Sequence, residues 1–316
     1  MLQATGPASV RRRVLRVEGP GAQGWRSDWL AVEEPLEVRL HPPGHEGIPV
    51  TVTMRTPGHD LELAAGLLFS EGLLRHPSQV ARIAHCSGPG GGAQSLPNAV
   101  GVFLREELPW DELSRLLTAP TLRAASCGLC GRPSLEQLPS LEGLPFPSPA
   151  GPHPPCPADG PDRPALQDSW QLPPDLVSRL PDQLRGCQPV FSRTGGLHAA
   201  GLFDAGGNLL VAREDVGRHN AVDKVIGHAF LQGWVPLHRH VLVVSGRISY
   251  EIVQKAARAG IPVVVAVSAP TSLACRAAEQ LGMTLVGFVR GNTFNVYTGA
   301  HRLARPASGR NGHPSP

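Results

Sequence analysis

Residues 241–289 read VLVVSGRISYEIVQKAARAGIPVVVAVSAPTSLACRAAEQLGMTLVGFV, and this stretch decides the fold. Val241-Leu242-Val243-Val244 is a short unbroken apolar strand, from which SGRIS leads into a helix through Ala259. Ile261 to Val267 is a second such strand, SAPTS opens a helix to Leu281, and Thr284 to Val289 is a third strand. Unbroken β-branched runs separated by helices mark parallel strands covered on both faces, and so an α/β fold. Right-handed crossovers then bring the loops after these strands to one edge of the sheet. Those loops are Ser245-Gly246-Arg247, Ser268-Ala269-Pro270-Thr271-Ser272 and Arg290-Gly291-Asn292.

Working outward, Leu197–Phe203 and Asn208–Val211 flank an Asp204-Ala-Gly-Gly turn and read as a hairpin, with a helix from about Asn220 to Leu231. These pieces make a C-terminal α/β region over residues 187–304. Before it, residues 139–186 read as a Pro-rich insertion or linker, because each Pro removes a backbone donor; Cys156 lies inside it. Residues 30–138 read as an N-terminal α+β region. Leu36, Val38, Leu40 and then Val50, Val52, Met54 alternate like a hairpin with one buried face. Asp60 is placed to N-cap a helix carrying Leu63, Leu67 and Leu68. Gly90–Gly92 mark a loop, Val100, Val102 and Leu104 a strand, and Trp110–Leu117 a short helix. Residues 1–29 and 305–316 read as loose tails.

Composition narrows the function classes. The 316 residues, with 41% hydrophobic, can bury one large core or two ordinary ones, and the excess of 36 Gly and 33 Pro sits in linkers. A formal charge of +3 is too small for a nucleic-acid-binding surface. No apolar run reaches the roughly 20 residues that span a bilayer. Arg11, Arg12 and Arg13 are followed by no apolar segment of a secretory signal, so the expectation is a cytoplasmic protein.

Three groups of residues carry chemistry. The first is Cys127-Gly128-Leu129-Cys130-Gly131, whose thiols can serve a disulfide, half a zinc site or a sulfur relay. Arg123 and Arg132 favour the thiolate, and the glycines leave both sulfurs open. Zinc lacks a second CxxC or HxxxH to complete four ligands, so no metal site is expected. Zinc deaminases use H-x-E and P-C-x-x-C; here Ser126 replaces the Pro, and His59-Asp60-Leu61-Glu62 has one residue too many. A thioredoxin-type dithiol should open a long helix, whereas Ser134–Leu138 soon meets proline. Cys86, Cys187 and Cys275 are single and read as buried small hydrophobes.

The second group is Glu214-Asp215-Val216-Gly217-Arg218-His219-Asn220-Ala221-Val222-Asp223-Lys224, between a strand and a helix. Its helix start, with Arg218 and His219, suits a phosphate; Asp215 and Asp223 are placed to hold Arg218 and Lys224, or sugar hydroxyls. The third group is the strand-end loops, with Ser245, Arg247, Ser268, Thr271, Ser272, Arg290 and Asn292, approached by Thr194-Gly195-Gly196-Leu197-His198.

Together TPGHDLELAAGLLFSEG, CGLCG, TGGLHAA, EDVGRHNAVDKVIG, SGRISYEIVQKAARAGIPVVVAVSAPTSLA and GFVRGNTFNVYT, running in order between residues 31 and 303, resemble the formate dehydrogenase accessory sulfurtransferases, the FdhD family. The Pro-rich stretch is longer than that family usually has. The resemblance implies a cytidine-deaminase-like three-layer sandwich with a mixed sheet, and a homodimer. It implies sulfur accepted as a persulfide from a cysteine desulfurase and passed to the bis-molybdopterin guanine dinucleotide molybdenum cofactor before insertion into formate dehydrogenase. The persulfide carrier then falls on Cys127, with Cys130 in support, and the cofactor-binding stretch on Phe288, Val289, Arg290, Gly291, Asn292 and Thr293. A non-catalytic cofactor chaperone and a CxxC dithiol oxidoreductase are the competing readings.

Overall fold

The computed structural model describes residues 7–19, 21, 23–87, 95–107 and 170–304. The CxxC, the Trp110–Leu117 helix, the Gly90–Gly92 loop, Cys156 and the C-terminal tail lie outside the described residues.

The chain opens with β1 (Ser9–Val17) and β2 (Gln23–Ala31), an antiparallel two-stranded ribbon where a loose tail was expected. Its strands carry little apolar alternation, so the usual signal is absent. Cross-strand stacking stands in for it: the Arg11 guanidinium lies 4.9 Å from the Trp29 ring and that of Arg13 5.0 Å from Trp25. Next come β3 (Glu34–His41), β4 (Ile48–Arg55), α1 (Asp60–Glu71), β5 (Val80–Ser87) and β6 (Ser95–Leu104). These strands form a sheet ordered β4-β3-β6-β5, with β3 and β4 antiparallel as expected and β6 parallel to β3. In β4, however, a register shift opposite Val38 and Arg39 leaves Met54 exposed and buries Thr51, Thr53 and Arg55 instead of continuing the expected Val50, Val52, Met54 face. Asp60 is not the cap of α1. His59 holds that position with a left-handed φ of 58°, while Asp60 is buried inside the first turn and paired with Arg55 at 3.0 Å.

After residue 170 the chain forms α2 (Pro174–Gly186), although the Pro-rich insertion was read through to residue 186. Pro174 fits the first helical position, whose N–H has no partner in any helix, and Val177, Leu180 and Leu184 recur at helical spacing and are buried. The rest is α3 (Pro189–Thr194), β7 (His198–Asp204), β8 (Leu209–Asp215), α4 (Arg218–Leu231), β9 (His240–Val244), α5 (Tyr250–Arg258), β10 (Val263–Ala266), α6 (Ser272–Gln280), β11 (Thr284–Arg290) and β12 (Thr293–Thr298). The six strands are ordered β12-β11-β10-β9-β7-β8. β9, β10 and β11 are parallel, while β7, β8 and β12 run against their neighbours, so the sheet is mixed.

Alternation along these strands splits the interior in two. Val241, Val243, Val263, Val265 and Phe203 pack under α2. Leu202, Leu242, Val244 and Val264 face the other way, into one core with α1, α4, α5, α6 and the inner face of the four-stranded sheet. At its centre α1 crosses α4 through Gly66 and Gly227. A Cβ on Gly66 would collide with the Asp223 carbonyl, and one on Gly227 with the Glu62 carbonyl. Among the described residues no helix is long and apolar enough to cross a membrane.

Candidate functional site

The edge of the six-stranded sheet where β9, β10 and β11 end also receives the end of β8 and the start of β7. There the Glu214–Lys224 motif acts chiefly as scaffolding. Asp215, fully buried, accepts from the backbone N–H groups of Gly217 (2.8 Å) and Thr56 (3.2 Å) and pairs with Lys224 Nζ at 2.7 Å. Lys224 donates in addition to the carbonyls of Thr56 (2.9 Å) and Glu214 (3.2 Å). The Glu214 carboxylate accepts from Val190 N (3.0 Å) and Phe191 N (2.7 Å), capping α3. Asp223 holds Lys255 (2.8 Å) and Ser70 (2.9 Å) rather than Arg218 or Lys224. Burial raises its carboxyl above the ordinary range despite both donors. His219 lies buried with Nε2 2.9 Å from Ser249 Oγ. The motif's density of polar residues is therefore that of an internal network tying the first sheet's TPGHD loop to the second sheet.

Above this network opens a cavity of about 630 Å³. Ser245, Val267, Val289, Arg290 and Gly291 line it from the strand ends; Gly195, Gly196 and His198 from the approach to β7; Asp182 and Arg185 from α2; and Phe191 from α3. Ser245 Oγ accepts from Ala199 N at 2.9 Å, which fixes that loop. The Arg185 guanidinium stacks 4.1 Å from the Phe191 ring, leaving its N–H edge available in the plane of the group. Burial lowers the His198 pKa, and Arg218 lowers it further against Asp215, so the imidazole facing the cavity is neutral at pH 7.

The β11–β12 turn is strained in a specific way. Register shifts between Gly287 and Arg290, Phe288 has φ 54° and Gly291 the same value. A residue with a β-carbon is uncommon in that region. The irregularity turns Val289 inward, 3% exposed, and Phe288 outward, 40% exposed. Phe288 N donates to Ser268 O at 3.2 Å, and Thr293 Oγ1 to Arg290 O at 3.0 Å.

Of the residues expected at the site, Ser245, Val289, Arg290 and Gly291 share the cavity wall. Phe288, Asn292, Thr293, Arg247, Ser268, Arg218 and His219 do not line it. Arg247 is exposed, Ser268 supports the β11–β12 turn, and Arg218 sits beside Gly246 and His198 with its Nε buried and unbonded among the described residues. Cys127 and Cys130 fall outside the described residues. Asp182, Arg185 and Phe191 were missed; the helical spacing of Val177, Leu180 and Leu184 was the available signal, hidden by neighbouring prolines. Cys187 is exposed, contrary to expectation, and burial raises the thiol pKa of the partly buried Cys86 and Cys275. Among the described residues no group of three or more His, Cys, Asp or Glu side chains is placed to hold a metal ion.

A model of the FdhD/NarQ family matches residues 31–304. The sulfur carrier protein FdhD of Nocardia farcinica is 44% identical over 305 residues, covering 96% of this chain and 98% of that one. The proteins of the same description from Streptomyces avermitilis (44% over 307 residues; 97% and 100%) and Mycobacterium tuberculosis (43% over 302 residues; 94% and 99%) are equally similar. In three dimensions the chain resembles the crystal structure of a Desulfotalea psychrophila protein described as a formate dehydrogenase accessory protein. The TM-score is 0.66 at 23% identity, with 94% of this chain and 100% of the other covered.

Proposed function

Because this chain belongs to the FdhD/NarQ family, we propose that it is a sulfur carrier serving formate dehydrogenase, with Cys127 as the persulfide-bearing residue. The donor is a cysteine desulfurase and the acceptor the bis-molybdopterin guanine dinucleotide molybdenum cofactor, bound as substrate. The Cys127 thiolate attacks the terminal sulfur of the donor's Cys–S–SH, its S–S bond breaks, and the donor cysteine leaves as thiolate; the product is Cys127–S–SH. In the second step the terminal sulfur passes to molybdenum. Attack by Cys130 on the Sγ of Cys127 would release that sulfur as sulfide and leave a Cys127–Cys130 disulfide.

The observation that carries the reading is the cavity at the strand ends, in a chain whose sequence also holds CGLCG. Its volume suits one guanosine-diphosphate arm of the cofactor rather than the whole of it. In this reading Arg290 and Arg185, which line the cavity, meet the phosphates, while Ser245, Gly291 and neutral His198 supply uncharged contacts. Arg218, His219, Arg247, Ser268, Phe288, Asn292 and Thr293 act from outside this wall, by holding the loops or by meeting the parts of the cofactor that project from it. The protein works in the cytoplasm as a homodimer in this reading.

Mass spectrometry after incubation with desulfurase and cysteine tests the first step. Wild type should gain about 32 Da, one sulfur, and Cys127→Ala should not. An adduct of equal yield on Cys127→Ala would overturn the assignment. Full activation of formate dehydrogenase in cells by a Cys127→Ala/Cys130→Ala protein would replace it with a cofactor chaperone.

A further inference from the structure

Among the described residues the N-terminal ribbon does not line the cavity, yet it exposes large apolar side chains. A lone two-stranded sheet is marginal in water, and this one leaves Leu15 44%, Val17 63% and Trp25 61% exposed. Cross-strand partners share a face, so Arg11 with Trp29, Arg13 with Ser27 and Leu15 with Trp25 form one ladder. The ladder is anchored at one end, where Ala31 meets Gly196 and the Arg193 guanidinium lies 5.7 Å from the Trp29 ring. Among the described residues the far strand, β1, pairs only with β2, and no described strand lies along its other edge.

Charge selects the occupant. Residues 1–31 hold Arg11, Arg12, Arg13, Arg16 and Arg26 against Glu18 and Asp28, which is the whole of the chain's formal excess of +3. Among the described residues Arg16 is paired with Glu18, whereas Arg11, Arg12 and Arg13 have no carboxylate at ion-pair distance. The Arg11 and Arg13 guanidiniums lie over Trp29 and Trp25, and a guanidinium held on a ring face can still grip a carboxylate through two N–H groups in its plane. At Trp29 two guanidiniums, those of Arg11 (4.9 Å) and Arg193 (5.7 Å), take positions over the ring where a nucleobase would otherwise stack. A second copy would bring the same positive ribbon and be repelled. We infer that the ribbon is a docking edge for an acidic, extended segment of a partner protein, which adds beside β1 as a third strand and sets its carboxylates against Arg11 and Arg13.

The inference is independent of the sulfur-carrier reading. A dye-labelled peptide of alternating Glu and Val, as long as the nine residues of β1, is titrated into the full chain and followed by anisotropy. Saturable binding is expected, weakened about tenfold by Arg11→Gln/Arg13→Gln and by raised salt, and absent for the Lys–Val peptide. The salt and Lys–Val arms use the unaltered chain, so a misfolded variant leaves the test intact. No saturable binding, equal binding of the Lys–Val peptide, or an affinity unmoved by the double substitution in a folded protein overturns it. So does tighter binding of single-stranded RNA or of anionic phosphatidylserine vesicles. Loss of self-association in the double variant would assign the edge to a second copy instead. A Cys127→Ala protein should bind the peptide unchanged, which separates this outcome from that of the persulfide experiment.

Discussion

At the scale of single residues, two ionic groups give separate expectations. Lys224 and Asp215 are each about 1% exposed or less, and each is surrounded by further hydrogen-bond partners. Removing one member of such a pair strands a charge in a low-dielectric interior, which costs about 3–5 kcal/mol. Lys224→Met should therefore lower the unfolding free energy by an amount near the lower end of that range, because Asp215 keeps its backbone donors; urea denaturation measures it. Glu62 is the second group. Burial alone would raise its pKa, but hydrogen bonds from Arg213 (2.6 Å) and His228 (3.0 Å) outweigh that and hold it below the ordinary value. A depressed carboxyl contributes stability that is present above its unfolded pKa of about 4.3 and disappears as the pH falls through the lower folded value. Glu62→Gln should thus be less stable than wild type at neutral pH, and the gap should close in acid; denaturation midpoints across that window would show it.

At the scale of elements, α1 and α4 cross with their backbones in close contact at Gly66 and Gly227. Gly227→Ala places a methyl group against the Glu62 carbonyl, a backbone atom that cannot swing away. The helices must separate, at a cost of about 3 kcal/mol, seen as a lowered midpoint in thermal melts. Elements also divide by how visibly they were written. The strands β9 and β10 were legible because each is a short apolar run rich in valine and buried on both sides, such as Val263–Ala266, and β11 because its first four residues are buried in the same way. The β1–β2 ribbon was not, because its stabilising pairs are Arg on Trp and leave no apolar period. β12 is not anticipated because Arg290–Asn292 reads only as a loop after β11, whereas the chain reverses there and pairs back on β11. The site was half legible: Ser245, Val289, Arg290 and Gly291 follow from strand ends, but a wall supplied by α2 depends on a long-range contact that no local pattern encodes.

At the scale of the whole molecule, one apolar core joins Leu36 and Val100 of the first sheet to Leu242 and Leu285 of the second. The two sheets should accordingly melt together, and calorimetry is expected to give a single transition whose calorimetric and van't Hoff enthalpies agree. Outside that core, α2 is tethered near its start by the end of the described chain. Leu172 N donates to Arg302 O at 2.8 Å and Ala304 N to Leu172 O at 3.0 Å. Load applied to the chain at Ala304 would fall directly on this clasp. Opening it would free the segment that leads into α2, so one wall of the cavity would slacken while the parallel strands still held. A chain ending at Gly299 should show that loosening as faster hydrogen exchange across Pro174–Gly186, with the protection of β9 and β10 unchanged.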